Sequence, residues 1–300
     1  MYRCSSRLNY LVAVAVVATL VGVAGSVSAQ GYQLLLDDTP QHTSYDTPSL
    51  QCAEPWPEGS ILVWGDARTW ELDNWTFAAG ARMSVGEDMD AEATLFHMNT
   101  SGEDAVNGVV RDSEATLLGL NFKWVARRTE NLTISVIPGA EFPIGDIKGT
   151  NTAIPATASS DDFIPVLAVP FEFSAQEDTI FRLVPRYVGF DEAPELADGT
   201  RIRGFGDVLA LGAAVIHDFG EYSVMADGTF VADGHNSIDD GTNAPSDEFV
   251  WSVGGAWHPI DRDMRVDLFV TNAAGPTAAS SMIAAPDSSI GVGVKVSGEF

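Results

Sequence analysis

The stretch SIGVGVKVSGEF, Ser289 to Phe300, alternates between two kinds of residue along most of its length. Apolar side chains occupy every second position from Ile290 to Val296, with glycine and Lys295 between them, and an aromatic residue stands at position 300. A period of two is that of a β-strand whose two faces meet different surroundings. The stretch therefore predicts a strand with one apolar face and one mixed face.

The same alternation recurs along the chain in segments of roughly ten residues, and helical spacing of apolar residues is almost absent. Counting back from Phe300 gives twelve such segments. The segment FIPVLAVPFEF, 163–173, is apolar on both faces and carries two prolines, which makes it a weaker strand. ILVWGDARTWEL, 61–72, is the weakest candidate and would be the first strand. An even number of amphipathic strands is typical of an antiparallel barrel.

The predicted connections alternate between short and long. The short ones fall at 86–89, 126–131, 174–179, 218–221 and 259–263, and the long ones at 100–114, 143–162, 191–204, 233–247 and 273–288. Outer-membrane barrels have short periplasmic turns and long extracellular loops. The pattern predicts an all-β fold: a single antiparallel up-and-down transmembrane β-barrel with long acidic extracellular loops and both chain ends in the periplasm. The two-residue connection at 73–74 breaks the alternation and puts the first strand in doubt.

Aromatic residues gather near both ends of the predicted strands, as expected at the two membrane interfaces. Near the short connections lie Trp124, Phe171, Phe173, Phe181, Tyr222, Trp257 and Phe300; near the long ones lie Trp75, Phe142, Phe163, Tyr187, Phe230, Phe249 and Trp251. The alternative is a soluble twelve-strand sandwich or lipocalin-like barrel. Such a fold would turn its apolar face inward, and its loops would not be expected to alternate between short and long.

The first 29 residues have the pattern of a secretory signal peptide. Arg3 and Arg7 form a basic start, Leu11 to Ala24 is an apolar run, and a small-x-small step ends at Ala29. The run is too short for a membrane-spanning helix, which needs about 20 residues. We expect export to the outer membrane and three parts: residues 1–29 as signal peptide, 30–60 as a periplasmic N-terminal extension or small plug, and 61–300 as the barrel.

The chain is strongly acidic, with 16 Lys and Arg against 42 Asp and Glu. Since Arg3 and Arg7 fall in the signal peptide, residues 30–300 carry a net charge near −28. This balance excludes nucleic acid as a partner and fits cation binding or a carboxylate-covered outer surface.

A signal peptide, amphipathic strands and a final strand that ends on Phe300 resemble the outer-membrane β-barrel proteins of Gram-negative bacteria, of an uncharacterised porin-like kind. The stretch GFGDVLALGAAV, Gly204 to Val215, is similar to a strand start common among such barrels. The resemblance covers 61–300. It implies outer-membrane lipid and lipopolysaccharide as surroundings, and it implies that Phe300 is the assembly signal read by the barrel-assembly machinery.

Catalysis and cofactors find little support in the sequence. Lipid-modifying barrel enzymes pair a His with a Ser on the outer face, and neither His97 nor His217 has an outward Ser beside it. The loop HNSIDDG, with Asp239, Asp240, Asp247 and Glu248, offers oxygen ligands for a hard cation, but its spacing matches no Ca²⁺ loop. We expect no enzyme activity, no cofactor and no metal site.

Charged residues at inward positions are the candidate functional residues. The alternation places Arg182, Arg186, Asp227, Arg265, Asp267, Lys123 and Glu141 toward the lumen, where they would set selectivity. Two interpretations remain open: opposed ladders of charge that orient a solute, or ion pairs that close a narrow lumen. The inward apolar residues Ile137, Val166, Val184, Val208 and Phe269 favour a partly filled interior.

Two functions follow from these alternatives. The first is a porin-like passive channel for ions or small solutes, whose acidic extracellular mouth concentrates cations. The second is a closed structural or surface-interaction barrel whose acidic loops bind divalent cations or lipopolysaccharide.

Overall fold

The computed structural model describes residues 46–71, 74–100, 113–144, 148–149, 163–176, 178–192, 204–238, 245–259, 263–284 and 290–300. Within these residues, twelve antiparallel strands form a closed up-and-down barrel. The strands are β1 Ile61–Glu71, β2 Asn74–Gly86, β3 Met89–Thr100, β4 Ser113–Thr129, β5 Leu132–Pro143, β6 in two segments, Ile164–Ala168 and Phe171–Gln176, β7 Thr179–Gly189, β8 Asp207–Asp218, β9 Tyr222–Asp233, β10 Val250–Trp257, β11 Met264–Thr271 and β12 Gly291–Glu299.

Pairing of β1 with β12 closes the barrel. The register runs from Leu62 opposite Glu299 to Thr69 opposite Val292. Ile61 and Phe300 then exchange backbone hydrogen bonds of 3.0 and 2.9 Å just beyond the strand ends. The doubtful first strand of the sequence is therefore a full member of the sheet, and the predicted twelve-strand antiparallel barrel is confirmed.

Shorter elements lie at the ends of the barrel. Lys148–Gly149 pairs with the start of β4, and Ser237–Ile238 pairs with Pro245–Ser246 as a separate ribbon. A 3₁₀-helix covers Ser280–Met282. The structure shows, in the part of the chain it describes, no helix with the length and apolar character needed to cross a bilayer.

The connections define two ends of the barrel. Residues 87–88, 130–131, 177–178, 219–221 and 258–263 join strands at one end, called here the short-turn end. The strand ends that border the remaining connections, Glu71 and Asn74 among them, lie at the opposite end, called here the long-loop end. Strand β4 continues to Thr129, so its turn is tighter than the predicted connection 126–131.

The two faces of the sheet differ as the sequence predicts. Outward residues are apolar and exposed, including Phe230 at 64% and Leu268 at 62%, whereas inward residues are buried and often charged. On the final strand, Val292 faces outward and Lys295 inward. A soluble barrel would show the reverse, so the outward apolar band indicates a wall that faces lipid.

Two predicted strands differ in detail from the structure. Strand β6 is interrupted at Val169 and Pro170, because proline lacks the N–H group that a central strand needs. Both of its segments nevertheless pair with β5 and β7. Strand β8 begins only at Asp207; Phe205 lies before it and packs edge-on against Phe190, with ring centroids 5.9 Å apart.

Two segments fold into the lumen. The first, Asp46–Ser60, precedes β1 and is called here the plug; its residues 46–56 lie in the lumen, and residues 57–59 are exposed. The second, Asn272–Ala284, belongs to the connection between β11 and β12 and is called the inner loop. Almost every residue of the inner loop is buried, and Ala274 N–H donates to the Ile283 carbonyl at 2.8 Å, which closes it into a compact turn.

The close approach of β12 to β11 requires glycine at position 293. A Cβ built there would lie 2.2 Å from the ring of Phe269, which is buried in the lumen. We expect Gly293→Val to destabilise the barrel by roughly 1–3 kcal/mol through overpacking. The loss would appear as a smaller heat-modifiable fraction on gels and a lower urea midpoint. Gly86→Val is the matched control, since its Cβ meets nothing closer than 3.9 Å; equal effects of the two changes would contradict the assignment.

Candidate functional site in the barrel lumen

The charged residues predicted to face the lumen all lie inside it. Lys123, Glu141, Arg182, Arg186, Asp227, Arg265 and Asp267 are each at most 7% exposed. The inward apolar residues Ile137, Val166, Val184, Val208 and Phe269 are buried as well. Alternation along each strand is enough to position these side chains, because every second residue points to the same side of the sheet.

Most of the lumen cations form ion pairs along the wall. Arg182 on β7 contacts Glu172 on β6 at 2.8 Å, and Arg265 contacts Asp267 on the same strand at 2.7 Å. Arg82 contacts Glu92 at 2.7 Å. These pairs neutralise charges between neighbouring positions of the wall, as in the interpretation with ion pairs, but they do not reach across the lumen.

Arg186 is an exception. Among the residues that the structure describes, it has no carboxylate within 4.0 Å. Its guanidinium donates instead to the Ser49 carbonyl at 3.2 Å, the Ala278 carbonyl at 2.7 Å and the Ser281 hydroxyl. The charge is thus satisfied by neutral oxygens of the plug and the inner loop.

Carbonyl oxygens of the plug accept hydrogen bonds from several strands. Consecutive plug carbonyls bind different arginines: Pro48 binds Arg68 at 2.7 Å, Ser49 binds Arg186 at 3.2 Å, and Leu50 binds Arg182 at 3.2 Å. Further along, Lys123 Nζ donates to the Glu54 carbonyl at 2.8 Å and Ser135 to the Ala53 carbonyl. The wall therefore binds the backbone of the plug, in addition to its buried apolar side chains Leu50 and Trp56.

Plug amides have acceptors on the wall too. Trp56 N–H donates to the Asp90 carboxylate at 2.9 Å, and Ala53 N–H donates to Glu172 Oε2 at 3.3 Å. The side chain of Ser49 donates to Asp227. Thus the predicted lumen residue Asp227 binds the plug directly.

A cluster of charged groups surrounds the only cysteine of residues 30–300, Cys52. Lys123 Nζ lies 3.1 Å from its sulfur, and Arg82 lies between Glu92 and the plug residue Asp46. Burial raises the pKa of the Cys52 thiol to about 11. Burial also acts to raise the pKa of Asp46, but the charges of Arg82, Lys295 and Lys123 together outweigh it and hold that pKa well below its ordinary value. Asp46 is therefore an anion that anchors the plug to Arg82.

The inner loop also binds the wall. Glu141 accepts the Ala279 amide at 2.7 Å, and Arg68 donates to the Ala273 carbonyl at 3.3 Å. The side chain of Phe96 packs against Gly275. Between plug and inner loop a cavity of about 20 Å³ remains, lined by residues that include Asp46, Ser49, Trp64, Thr277, Ala278 and Lys295. That is room for about one water, so the two segments meet closely.

Sequence reasoning missed the pair Asp66 and Arg68. They contact each other at 2.9 Å with fully buried side chains. Both lie on β1, the strand that the two-residue connection had put in doubt. The signal that could have found them is the inward run Trp64, Asp66, Arg68, Trp70, which keeps a strict period of two.

The other sequence-predicted candidates lie apart from the lumen. His97 bonds Thr116 at 2.9 Å and His217 bonds Thr179 at 2.8 Å, both on strand faces away from the plug. In the acidic loop, His235 contacts Asp247 at 2.8 Å, while Asp239 and Asp240 lie outside the described residues. The signal-peptide prediction likewise falls outside them. The described part of the chain holds no group of three or more His, Cys, Asp or Glu suited to a metal ion.

Solved structures with a similar fold are outer-membrane proteins. An outer-membrane channel from Pseudomonas putida F1 matches with a TM-score of 0.56 and 11% identity, over 83% of this chain and 98% of the other. The chain has the fold of an outer-membrane β-barrel.

Weaker matches belong to the same broad class. They include the NanC porin, with a TM-score of 0.49 and 10% identity over 79% of this chain and 98% of the porin. An outer membrane phospholipase from Salmonella typhi has a TM-score of 0.39 and 12% identity over 80% and 90% of the two chains. No family model matches the chain, and no curated protein matches it.

The environment of Cys52 predicts very slow chemical modification in the folded protein. A thiol whose pKa is about 11 has roughly 100-fold less thiolate at pH 8 than one with an ordinary pKa, and the thiolate is the reactive form. In protein without residues 1–29, we expect iodoacetamide to label Cys52 at least that much more slowly than in the urea-unfolded chain, by mass spectrometry. Glu58→Cys combined with Cys52→Ser places a thiol at an exposed plug position. It should label rapidly; equal rates at the two positions would contradict the buried plug.

Proposed function

We propose that the protein is an outer-membrane channel for ions or small solutes, closed in this conformation by the plug, and that it is not an enzyme. One observation carries the proposal: cationic side chains of the lumen wall donate hydrogen bonds to backbone carbonyls of the plug, in addition to the buried apolar contacts of Leu50 and Trp56. Each of these bonds can be exchanged for a bond to water once water enters the lumen, at a net cost of about 1.5–3 kcal/mol because the donors are charged. Such an interface suits a segment that leaves the lumen and returns.

The charged lining supports the same proposal. Buried ion pairs contribute little net stability, and apolar side chains of similar volume stabilise a closed core as well or better. A barrel that is permanently shut has no physical need for Arg182, Glu172, Arg265 and Asp267 inside. A lumen that fills with water when the plug leaves does need polar walls, because water and solutes must be solvated along the path.

The acidity of the chain favours cations as the preferred solutes. With a net charge near −28 on residues 30–300, the exposed loops would raise the local cation concentration at the mouth. Asp191, Glu192, Asp207 and Asp233 border the long-loop end among the described residues. We infer that this end is extracellular, since long loops lie outside in outer-membrane barrels.

The filled lumen also favours the second function, a closed structural or surface-interaction barrel. Plug and inner loop together leave little free space between them. In that case the acidic loops would bind divalent cations that bridge lipopolysaccharide. In both cases the last strand has the same role: Phe300 pairs with Ile61 at the closing seam, and we propose that the barrel-assembly machinery reads this strand.

Conductance of a plug-free chain tests the channel proposal. A chain that begins at residue 57 lacks the plug segment bound by Arg68, Arg182, Arg186 and Lys123. We expect steady open steps from this chain in planar bilayers, and mostly closed traces with brief openings from the protein beginning at residue 30. Heat-modifiable migration of both chains is the control for an intact barrel. A folded plug-free barrel without steps above leak would contradict the channel and support the closed barrel.

Ion selectivity tests the acidic mouth. Under a gradient of KCl across the bilayer, we expect the reversal potential of the plug-free chain to indicate preference for K⁺. The preference should weaken as salt rises, since the Debye length falls from about 10 Å at 0.1 M to about 3 Å at 1 M. Replacing Asp191, Glu192 and Asp233 by Asn or Gln should reduce it. A preference for anions would contradict this mechanism. So would a cation preference that changes neither with salt concentration nor with the three substitutions.

A further inference from the structure

We propose that Arg68 and Arg186 join the plug and the inner loop into one gate, so that the two segments leave the lumen together. The inference deepens the proposed channel function by naming how its closure is controlled. It rests on three connections between segments that lie more than two hundred residues apart in the chain.

The first connection is Arg68 on β1. One terminal nitrogen, Nη2, donates to the plug carbonyl of Pro48 at 2.7 Å, and the other, Nη1, donates to the inner-loop carbonyl of Ala273 at 3.3 Å. Asp66 holds the guanidinium in place through Nε at 2.9 Å. The ring of Phe269 lies 5.1 Å from its central carbon. The side chain is therefore fixed between the two segments and bonds both.

The second connection is Arg186 on β7. It donates to Ser49 of the plug and, on the other side, to Ala278 and Ser281 of the inner loop. Since no described carboxylate lies within salt-bridge distance of Arg186, these neutral oxygens satisfy a buried charge. Loss of either segment leaves donors of that charge unpaired until water enters, and an unpaired buried donor is costly.

The third connection is a chain of hydroxyl groups. The Ser49 hydroxyl lies 3.1 Å from that of Ser252 on β10, which lies 2.9 Å from that of Thr271 on β11. Thr271 in turn accepts the backbone N–H of Ala273 at 2.9 Å. The chain therefore begins on the plug, crosses two strands and ends on the inner loop.

These connections couple the two segments energetically. When the plug leaves, Arg68 and Arg186 each lose an acceptor and water reaches the remaining bonds to the inner loop. The same holds when the inner loop leaves first, because a coupling free energy between two sites is reciprocal. A disturbance at one segment must then release the other, even where the disturbed residue does not touch it.

Thiol labelling of the full chain without residues 1–29 tests the coupling. Cys52 reports release of the plug. Ser280→Cys in a Cys52→Ser background reports release of the inner loop; Ser280 is fully buried and bonds only within that loop in the described contacts. Two substitutions disturb one segment each. Ser135→Ala removes a donor to the plug residue Ala53, and Glu141→Met removes the acceptor of the inner-loop amide of Ala279.

We expect each substitution to accelerate labelling at both reporters, by about fivefold, which corresponds to one hydrogen bond of typical net strength. Arg186→Met should accelerate both by tenfold or more, because it removes bonds to both segments. Asp267→Asn is the matched control: it changes a buried wall carboxylate whose described partner is Arg265 on the same strand, away from both segments. It should leave both rates unchanged, with heat-modifiable migration confirming the fold of every variant.

The decisive measurement is the labelling rate of the reporter in the segment that the substituted residue does not contact. If Ser135→Ala does not accelerate labelling of the Ser280→Cys reporter, or Glu141→Met does not accelerate labelling of Cys52, the two segments are independent and the proposal is wrong. Labelling needs no ion flow, so this result is separate from the conductance test. Coupled labelling in a barrel that never conducts would support the joint release of plug and inner loop and would contradict the channel function.

Discussion

Hydrogen bonding between β1 and β12 is the constraint on which the rest of the structure depends. A sheet in hydrocarbon has no water for its edges, so each unpaired N–H or C=O group would cost several kcal/mol. Pairing of Leu62 with Glu299 through Thr69 with Val292 removes both edges at once. The closed wall then separates two environments, lipid outside and an enclosed lumen inside. Every other feature of the fold follows from that separation.

The enclosed lumen must also be filled. Side chains of a twelve-strand wall do not reach far enough to occupy the centre, and charged ones must be paired or hydrogen-bonded there. Here the plug and the inner loop supply the missing partners. Their carbonyl groups accept from Arg68, Arg182 and Arg186, and Glu141 and Asp90 accept from their amides. The same contacts therefore close the lumen and satisfy its buried charges.

This arrangement explains why charged residues line a lumen that is closed in the described conformation. The wall pairs, such as Arg182 with Glu172, neutralise each other without the plug and would persist if it left. The described bonds of Arg186 would not, because they go to the plug and the inner loop. Ion pairs within the wall stabilise the wall itself. The hydrogen bonds of Arg186 instead stabilise the closed position of the plug and the inner loop. The difference between them gives the proposed channel a closed state that water can open.

The sequence by itself determined the strands and their faces, because alternation is local and each residue's side depends only on its neighbours along the strand. That is why Lys123, Arg182 and Asp267 were placed in the lumen, and why Arg68 was missed only where the connection at 73–74 cast doubt on β1. The tertiary structure alone decided that Asp46–Ser60 and Asn272–Ala284 fill the lumen and share two arginines. Their hydrogen bonds to the wall arginines go to main-chain carbonyls. Every residue carries that group, so these bonds leave no pattern of side chains for the sequence to show.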